Sequence, residues 1–211
     1  MLVVGICGSP KKERSSTRFL LQQALESAAE ILPTEDSESD TTLLLDVSEY
    51  EIRPCTGCDA CVRRDPCPES DEDDMRKIEE VLRKADGIII AAPSYFTSVP
   101  GILKNLIDRS RPMKMQDQEL KDKVFGAITY AGLRLGGQEP VIDLLNRYAL
   151  TQGMIVVGAV GDPVTDGFFG GGSLQTDDGQ WRSPKKDEMA IASSRRVGKR
   201  VAEIASSLKS E

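Results

Sequence analysis

Leu2-Val-Val-Gly-Ile-Cys7-Gly8-Ser9-Pro10-Lys-Lys-Glu-Arg-Ser15-Ser16-Thr17 opens the chain and decides its fold. The run to Cys7 is short, apolar and rich in branched residues, which predicts a buried parallel strand. Beyond the loop, Phe19, Leu20, Ala24, Leu25, Ala28 and Ile31 recur at helical spacing. A strand therefore feeds a helix N-terminus, where unpaired backbone N–H groups and the positive end of the helix dipole attract an anion. Ser9, Ser15, Ser16 and Thr17 can each donate a hydroxyl hydrogen bond to a bound phosphate. Ser15 or Ser16 alone would read as a helix cap, but the cluster of hydroxyls among Lys11, Lys12 and Arg14 reads as a phosphate loop. It has neither the lysine-serine ending of a nucleotide P-loop nor the triple-glycine dinucleotide fingerprint, so a single phosphate, as in a mononucleotide, suits it.

The same strand-loop-helix unit recurs along the chain. Thr42–Asp46, Gly87–Ala92, Lys121–Tyr130 and Met154–Val160 read as further apolar strands, alternating with helical patterns. Five such strands specify an open parallel sheet that binds ligands beyond the carboxyl ends of its strands. Pro93-Ser-Tyr-Phe-Thr-Ser-Val-Pro-Gly101 follows the third strand, and Ala131-Gly-Leu-Arg-Leu-Gly-Gly137 follows the fourth. Tyr95 and Phe96 read equally as ligand contacts and as ordinary core aromatics. Cys7 reads as a small buried hydrophobe. Residues 33–41 read as a solvated acidic connector, and Ser70-Asp-Glu-Asp-Asp74 as the capped, dipole-matched start of a helix.

Four of the five cysteines lie in Cys55-Thr-Gly-Cys58-Asp-Ala-Cys61-Val-Arg-Arg-Asp-Pro-Cys67, a C-x2-C-x2-C-x5-C run after the second strand. Three thiols at successive short spacings, with a fourth soon after, let one loop wrap a compact metal core, as a cubane iron-sulfur cluster requires. Structural zinc is an alternative, although zinc loops usually offer two separated ligand pairs and this chain has no histidine to complete one. A disulfide framework is a second alternative, poorly matched to 211 residues without a secretory signal.

Composition narrows the function further. The formal charge of -7 argues against nucleic acid and anionic lipid as partners, and no apolar run reaches the length of a bilayer span, so a cytoplasmic protein is expected. The absence of histidine removes the Ser-His-Asp and Cys-His arrangements together with the usual general base. Residues 161–183 are rich in Gly and Asp, resist packing as regular structure, and read as an arm, lid, intersubunit contact or plain surface loop. Met189, Ile191, Val197, Val201, Ile204, Ala205 and Leu208 mark a terminal helix covering the sheet or a neighbouring subunit. The expected organisation is one domain, with a core at 1–160, a cysteine loop at 52–68 and an extension at 161–211.

The phosphate loop, Pro93 to Gly101 with the following Ile102-Leu-Lys-Asn-Leu-Ile-Asp-Arg109, and Gly136-Gly-Gln-Glu139 together resemble the NADPH-dependent FMN reductase superfamily. The cysteine loop narrows the likeness to the iron-sulfur flavoproteins of anaerobic archaea and bacteria. This resemblance covers residues 1–160 and implies a flavodoxin-like doubly wound sheet of order 2-1-3-4-5. It implies FMN, with Ser9, Ser16 and Thr17 at the phosphate, Pro93, Ser94, Tyr95 and Phe96 along the flavin, and Gly136 and Gly137 at its far edge. Ser15-Ser16-Thr17 stands where relatives often have Gly-Asn-Thr, which makes Ser16 the substitute donor. The resemblance further implies a [4Fe-4S] cluster on Cys55, Cys58, Cys61 and Cys67, a homotetramer, and a ferredoxin-like electron donor. The function expected is electron transfer between a one-electron donor and a two-electron small-molecule or protein acceptor. An NAD(P)H-dependent FMN or quinone reductase with a structural metal, and a non-enzymatic flavodoxin-like zinc module, are the alternatives.

Overall fold

Every residue of β1 (Val3–Cys7) is buried, as befits a strand covered on both faces. It lies at the centre of the computed structural model, which describes residues 1–12, 14–32, 41–162 and 164–209. The acidic connector at 33–41 falls, but for its last residue, outside the described residues. β1 pairs in parallel with β2 (Thr42–Asp46) on one side and with β3 (Gly87–Pro93) on the other. β4 (Val124–Ala131) and β5 (Ile155–Val157) complete the order β2-β1-β3-β4-β5, the flavodoxin-like arrangement.

Alternation along the strands divides the core in two. Val4, Ile6, Ile88, Ile90 and Phe125 face a layer that includes Ile78 and Leu82 of α2 (Met75–Lys84), Leu103 and Leu106 of α3 (Gly101–Arg109), and Val141 and Leu145 of α5 (Gln138–Gln152). The short α4 (Arg111–Met115) adds Met113 to the same layer. Val3, Ile89, Val124 and Ile128 face α1 (Ser16–Ala29) and α6 (Glu188–Lys209), which supply Leu21, Leu25, Val197 and Val201. Each such side chain contributes about 1.5–3 kcal/mol through burial, which is why a strand period of two suffices to fix both layers.

α1 and α6 cross at Gly198, where an added Cβ would lie 1.9 Å from the Ala24 carbonyl oxygen. The expected terminal helix is present and covers the sheet, although Met189 and Leu208, assigned to its apolar face, are exposed.

Three boundaries differ from expectation. Lys121-Asp-Lys123 precedes β4 instead of opening it, with Asp122 in the left-handed region at φ 63°, because a doubly covered strand has no place for three charges. The fifth strand stops at Val157: the Ala159 N–H donates to the Phe168 carbonyl at 2.9 Å, so the chain leaves the sheet early. The upper half of β4 pairs instead with a sixth strand, β6 (Gly170–Ser173), in the stretch expected to lack regular structure. Glycine is what makes this strand possible. A Cβ at Gly172 would stand 2.6 Å from the Ala190 Cβ and 2.5 Å from an Asp187 carboxylate oxygen, so only a bare backbone fits beneath α6.

Candidate functional sites

Two cavities collect the residues singled out in the sequence. The first is walled by Ser9, Lys11, Arg14, Ser15, Ser16 and Thr17 after β1, by Pro93, Ser94 and Tyr95 at the end of β3, and by Tyr130, Ala131 and Gly132 at the end of β4. All three loops leave the carboxyl ends of parallel strands, which is how segments more than a hundred residues apart meet. Ser15 caps α1, its Oγ accepting the Arg18 N–H at 3.2 Å. Ser9 Oγ accepts the Lys11 N–H at 3.2 Å and holds the loop in its turn. The N-terminus of α1 therefore bounds the cavity with hydroxyls and with two basic side chains beside them.

The β3 loop is a tight reversal in which Tyr95 and Ser98 exchange both backbone hydrogen bonds, at 2.9 and 3.1 Å. Phe96 and Thr97 take left-handed conformations at φ 50° and 63°, the geometry of a two-residue hairpin turn and a strained one for side chains of this bulk. Tyr95 reaches the cavity wall, whereas Phe96 projects fully exposed from the tip of the turn. Gly136 and Gly137 lie outside the first cavity but are fastened to this loop. Ser94 Oγ donates to the Gly136 carbonyl at 2.5 Å, and Gly137, at φ 81°, packs so closely that a Cβ there would meet Thr97 at 2.7 Å.

Burial pushes the Cys7 thiol up to about 11, against weaker opposition from hydrogen bonds of Ser9 and Ser15, so it stays protonated at neutral pH. Burial likewise raises Tyr130, reinforced by Asp187, whose carboxylate accepts the phenol at 3.2 Å. The sequence placed Lys11 in the basic phosphate loop and Ala131 and Gly132 in the loop after the fourth strand without giving them a contact, and showed Tyr130 only as that strand's end; the end of an apolar strand facing the phosphate loop was the available signal.

The second cavity is lined by Cys55, Cys58, Cys61 and Cys67 together, with Asp59, Glu69, Asp108, Arg109 and Arg111. The loop carrying the cysteines needs left-handed backbone at Gly57, Asp59 and Arg64 (φ 69°, 56° and 65°). Its middle turns through a short 3-10 segment, Cys61–Arg63, closed by the Asp65 N–H donating to the Ala60 carbonyl at 2.9 Å. Cys55 and Cys58 are exposed, Cys67 is half-buried and Cys61 is buried. No disulfide joins any of them. Among the described residues, no three Cys, Asp or Glu side chains are drawn together as they would be around a single metal ion.

Arg111 Nη1 reaches the Asp59 carboxylate at 2.9 Å across the cavity rim. Arg109 is buried beside it and pairs with Asp73, a residue assigned above to helix capping. Asp73 does accept the Met75 N–H of α2 at 3.0 Å, but its main partner is the guanidinium. Burial alone would raise the Asp73 carboxyl; Arg109 and the Met75 and Arg53 amides outweigh it and hold the group below its usual range. Arg109 was quoted in the sequence without a role. Its signal was there: an arginine continuing the three-residue spacing of Leu103 and Leu106 has to be buried and paired.

The NADPH-dependent FMN reductase family matches residues 1–162. An iron-sulfur flavoprotein of Archaeoglobus fulgidus is 42% identical over 209 residues, covering 99% of this chain and 98% of that protein. One from Methanocaldococcus jannaschii is 36% identical over 209 residues, covering 99% and 100%. Among solved structures, RosB with bound 8-demethyl-8-formylriboflavin 5'-phosphate superposes with a TM-score of 0.72 at 15% identity, covering 100% of this chain and 81% of that one, a likeness of fold.

Proposed function

The chain belongs to the NADPH-dependent FMN reductase family and, within it, to the iron-sulfur flavoproteins, and from that membership we propose that it passes electrons between a one-electron donor such as a ferredoxin and a two-electron acceptor. The family makes it a flavin-dependent oxidoreductase. FMN is assigned to the phosphate-loop cavity and a [4Fe-4S] cluster to Cys55, Cys58, Cys61 and Cys67. The observation that carries the cluster assignment is that all four thiols of the C-x2-C-x2-C-x5-C run border one cavity. When bound, the cluster exchanges electrons singly and the flavin singly or in pairs, so the two together convert one kind of carrier into the other.

The chain's own contribution is binding and orientation. Ser9, Ser16 and Thr17 supply hydroxyl donors to the phosphate, with Ser15 fixing the start of α1 and Lys11 and Arg14 balancing the charge. Pro93, Ser94 and Tyr95 wall the ring side; Phe96, Gly136 and Gly137 belong to the outer edge, held there by the Ser94 and Thr97 contacts. No side chain is given a proton-transfer role, since histidine is absent and Cys7 is held protonated.

The reading includes a cytoplasmic homotetramer. No described helix is long and apolar enough to cross a membrane. Phe96, Leu135, Phe168, Phe169 and Trp181 are large apolar side chains left exposed, which supports contact between copies. Light scattering of the purified protein tests the assembly.

A second reading, an NAD(P)H-dependent FMN or quinone reductase, draws support from the family that matches residues 1–162. The non-enzymatic zinc module does not survive, because the family is one of oxidoreductases. Metal, acid-labile sulfide and FMN content after anaerobic purification separates what remains. About four irons and four sulfides with one FMN per chain support the converter; FMN with zinc, or with neither iron nor sulfide after reconstitution, supports the reductase.

A further inference from the structure

We propose that Arg109 is the positioning residue of the cysteine loop, joining its entrance to its exit and setting a buried positive charge beside Cys67. The inference rests on the cluster assignment above.

A guanidinium has five N–H donors in a fixed plane. Arg109 Nη1 donates to the Arg53 carbonyl at 3.1 Å, two residues before Cys55, and to Asp73. Nη2 donates to Ser70 Oγ at 3.2 Å, three residues after Cys67, and to the other Asp73 oxygen at 3.3 Å. Asp73 in turn accepts the Arg53 N–H at 3.0 Å, so one buried ion pair closes the neck of the loop. The Asn105 amide, one turn earlier on α3, donates to the Ile52 carbonyl at 2.9 Å and anchors the same strand of the neck.

The fifth donor, Nε, is buried and has no partner among the described residues. Arg109 nevertheless lines the cysteine cavity together with Cys67. Asp73 does not line that cavity. The positive end of the pair therefore faces the thiols and the negative end is turned away from them.

A cluster held by four thiolates carries net negative charge and gains one more on reduction, so a nearby buried cation favours the reduced form. Removing the cation must lower the reduction potential. Removing the carboxylate that opposes it must raise the potential. A residue that merely stabilised the fold would move both variants the same way, because either loss loosens the neck.

The test is a redox titration followed by electron paramagnetic resonance on the anaerobic holoprotein and on Arg109→Gln, Arg109→Lys and Asp73→Asn, with FMN content as an internal check on folding. The expected result is a lower cluster potential in Arg109→Gln, a higher one in Asp73→Asn, and a value near the parent in Arg109→Lys, which keeps the charge. Shifts of the same sign in Arg109→Gln and Asp73→Asn, or no shift in either, overturn the proposal. Should Arg109→Gln fail to take up a cluster, Asp73→Asn decides alone: a rise supports the proposal, and a fall or no change overturns it. A parent protein without iron or sulfide would refute the cluster reading instead. Hydrogen exchange on the cluster-free full chain then tests the clamp: Arg109→Gln is expected to lose protection over residues 53–70 while the phosphate loop keeps its own, and unchanged protection overturns it.

Discussion

Cys58 is exposed and lies on a loop that shares no residue with the phosphate-loop cavity. Cys58→Ala should lose the cluster and keep FMN, read from the iron and flavin content of the purified variant; joint loss would show that the two sites are not independent. Asp73 makes a prediction of a different kind. Its folded pKa lies below the unfolded value of 3.8, so the ionised form is the one the fold prefers. That contribution is fully present above pH 3.8 and is lost as the pH falls through the depressed folded value. Asp73→Asn should therefore flatten the acid limb of the stability-pH profile. At neutral pH it should cost about 3–5 kcal/mol, the usual penalty for stranding one partner of a buried pair, measurable by denaturant unfolding. These residues also show where sequence reading stops. The cysteines are legible as a set because they stand at short spacings along one loop. The Arg109–Asp73 pair spans 36 residues, and nothing in the local pattern of the acidic run separates Asp73 from its neighbours.

At the scale of elements, the phosphate loop and the α1–α6 crossing each expose a distinct physical requirement. Thr17 is buried at the cavity wall, and Ser16 is the first residue of α1. Ser16→Ala combined with Thr17→Val removes the two hydroxyls proposed to bind the phosphate and should weaken FMN binding at least about tenfold, by flavin fluorescence titration. Unchanged affinity would move the phosphate elsewhere. Gly198→Ala should destabilise the fold by about 1–3 kcal/mol and lower the thermal midpoint, because the new methyl meets the Ala24 carbonyl oxygen. Adding Ala24→Gly should not restore it, since the obstructing atom is backbone. Four of the five expected strands were legible as apolar runs, β4 once its charged start is set aside, while their order was implied by the family resemblance and not by the alternation itself. The fifth was read too long at both ends, by one residue at its start and three at its end. β6 was invisible because Gly-Gly-Gly-Ser carries no strand propensity; its place comes from what it packs beneath, a tertiary demand for missing side chains.

Over the whole molecule, the loops after β1, β3 and β4 form one cavity and the loop after β2 forms another, the topology of a parallel sheet placing its variable loops along the carboxyl edge. The same sheet could hold a flavin alone, and the second cavity is what separates an electron converter from a simple two-electron reductase. The measurement that tests this most directly is an anaerobic reductive titration of the purified protein, counting electrons taken up per chain from a one-electron donor. The account predicts about three, two for the flavin and one for the cluster, and about two in Cys58→Ala. An uptake of two electrons in the parent protein, unchanged by the substitution, would contradict it.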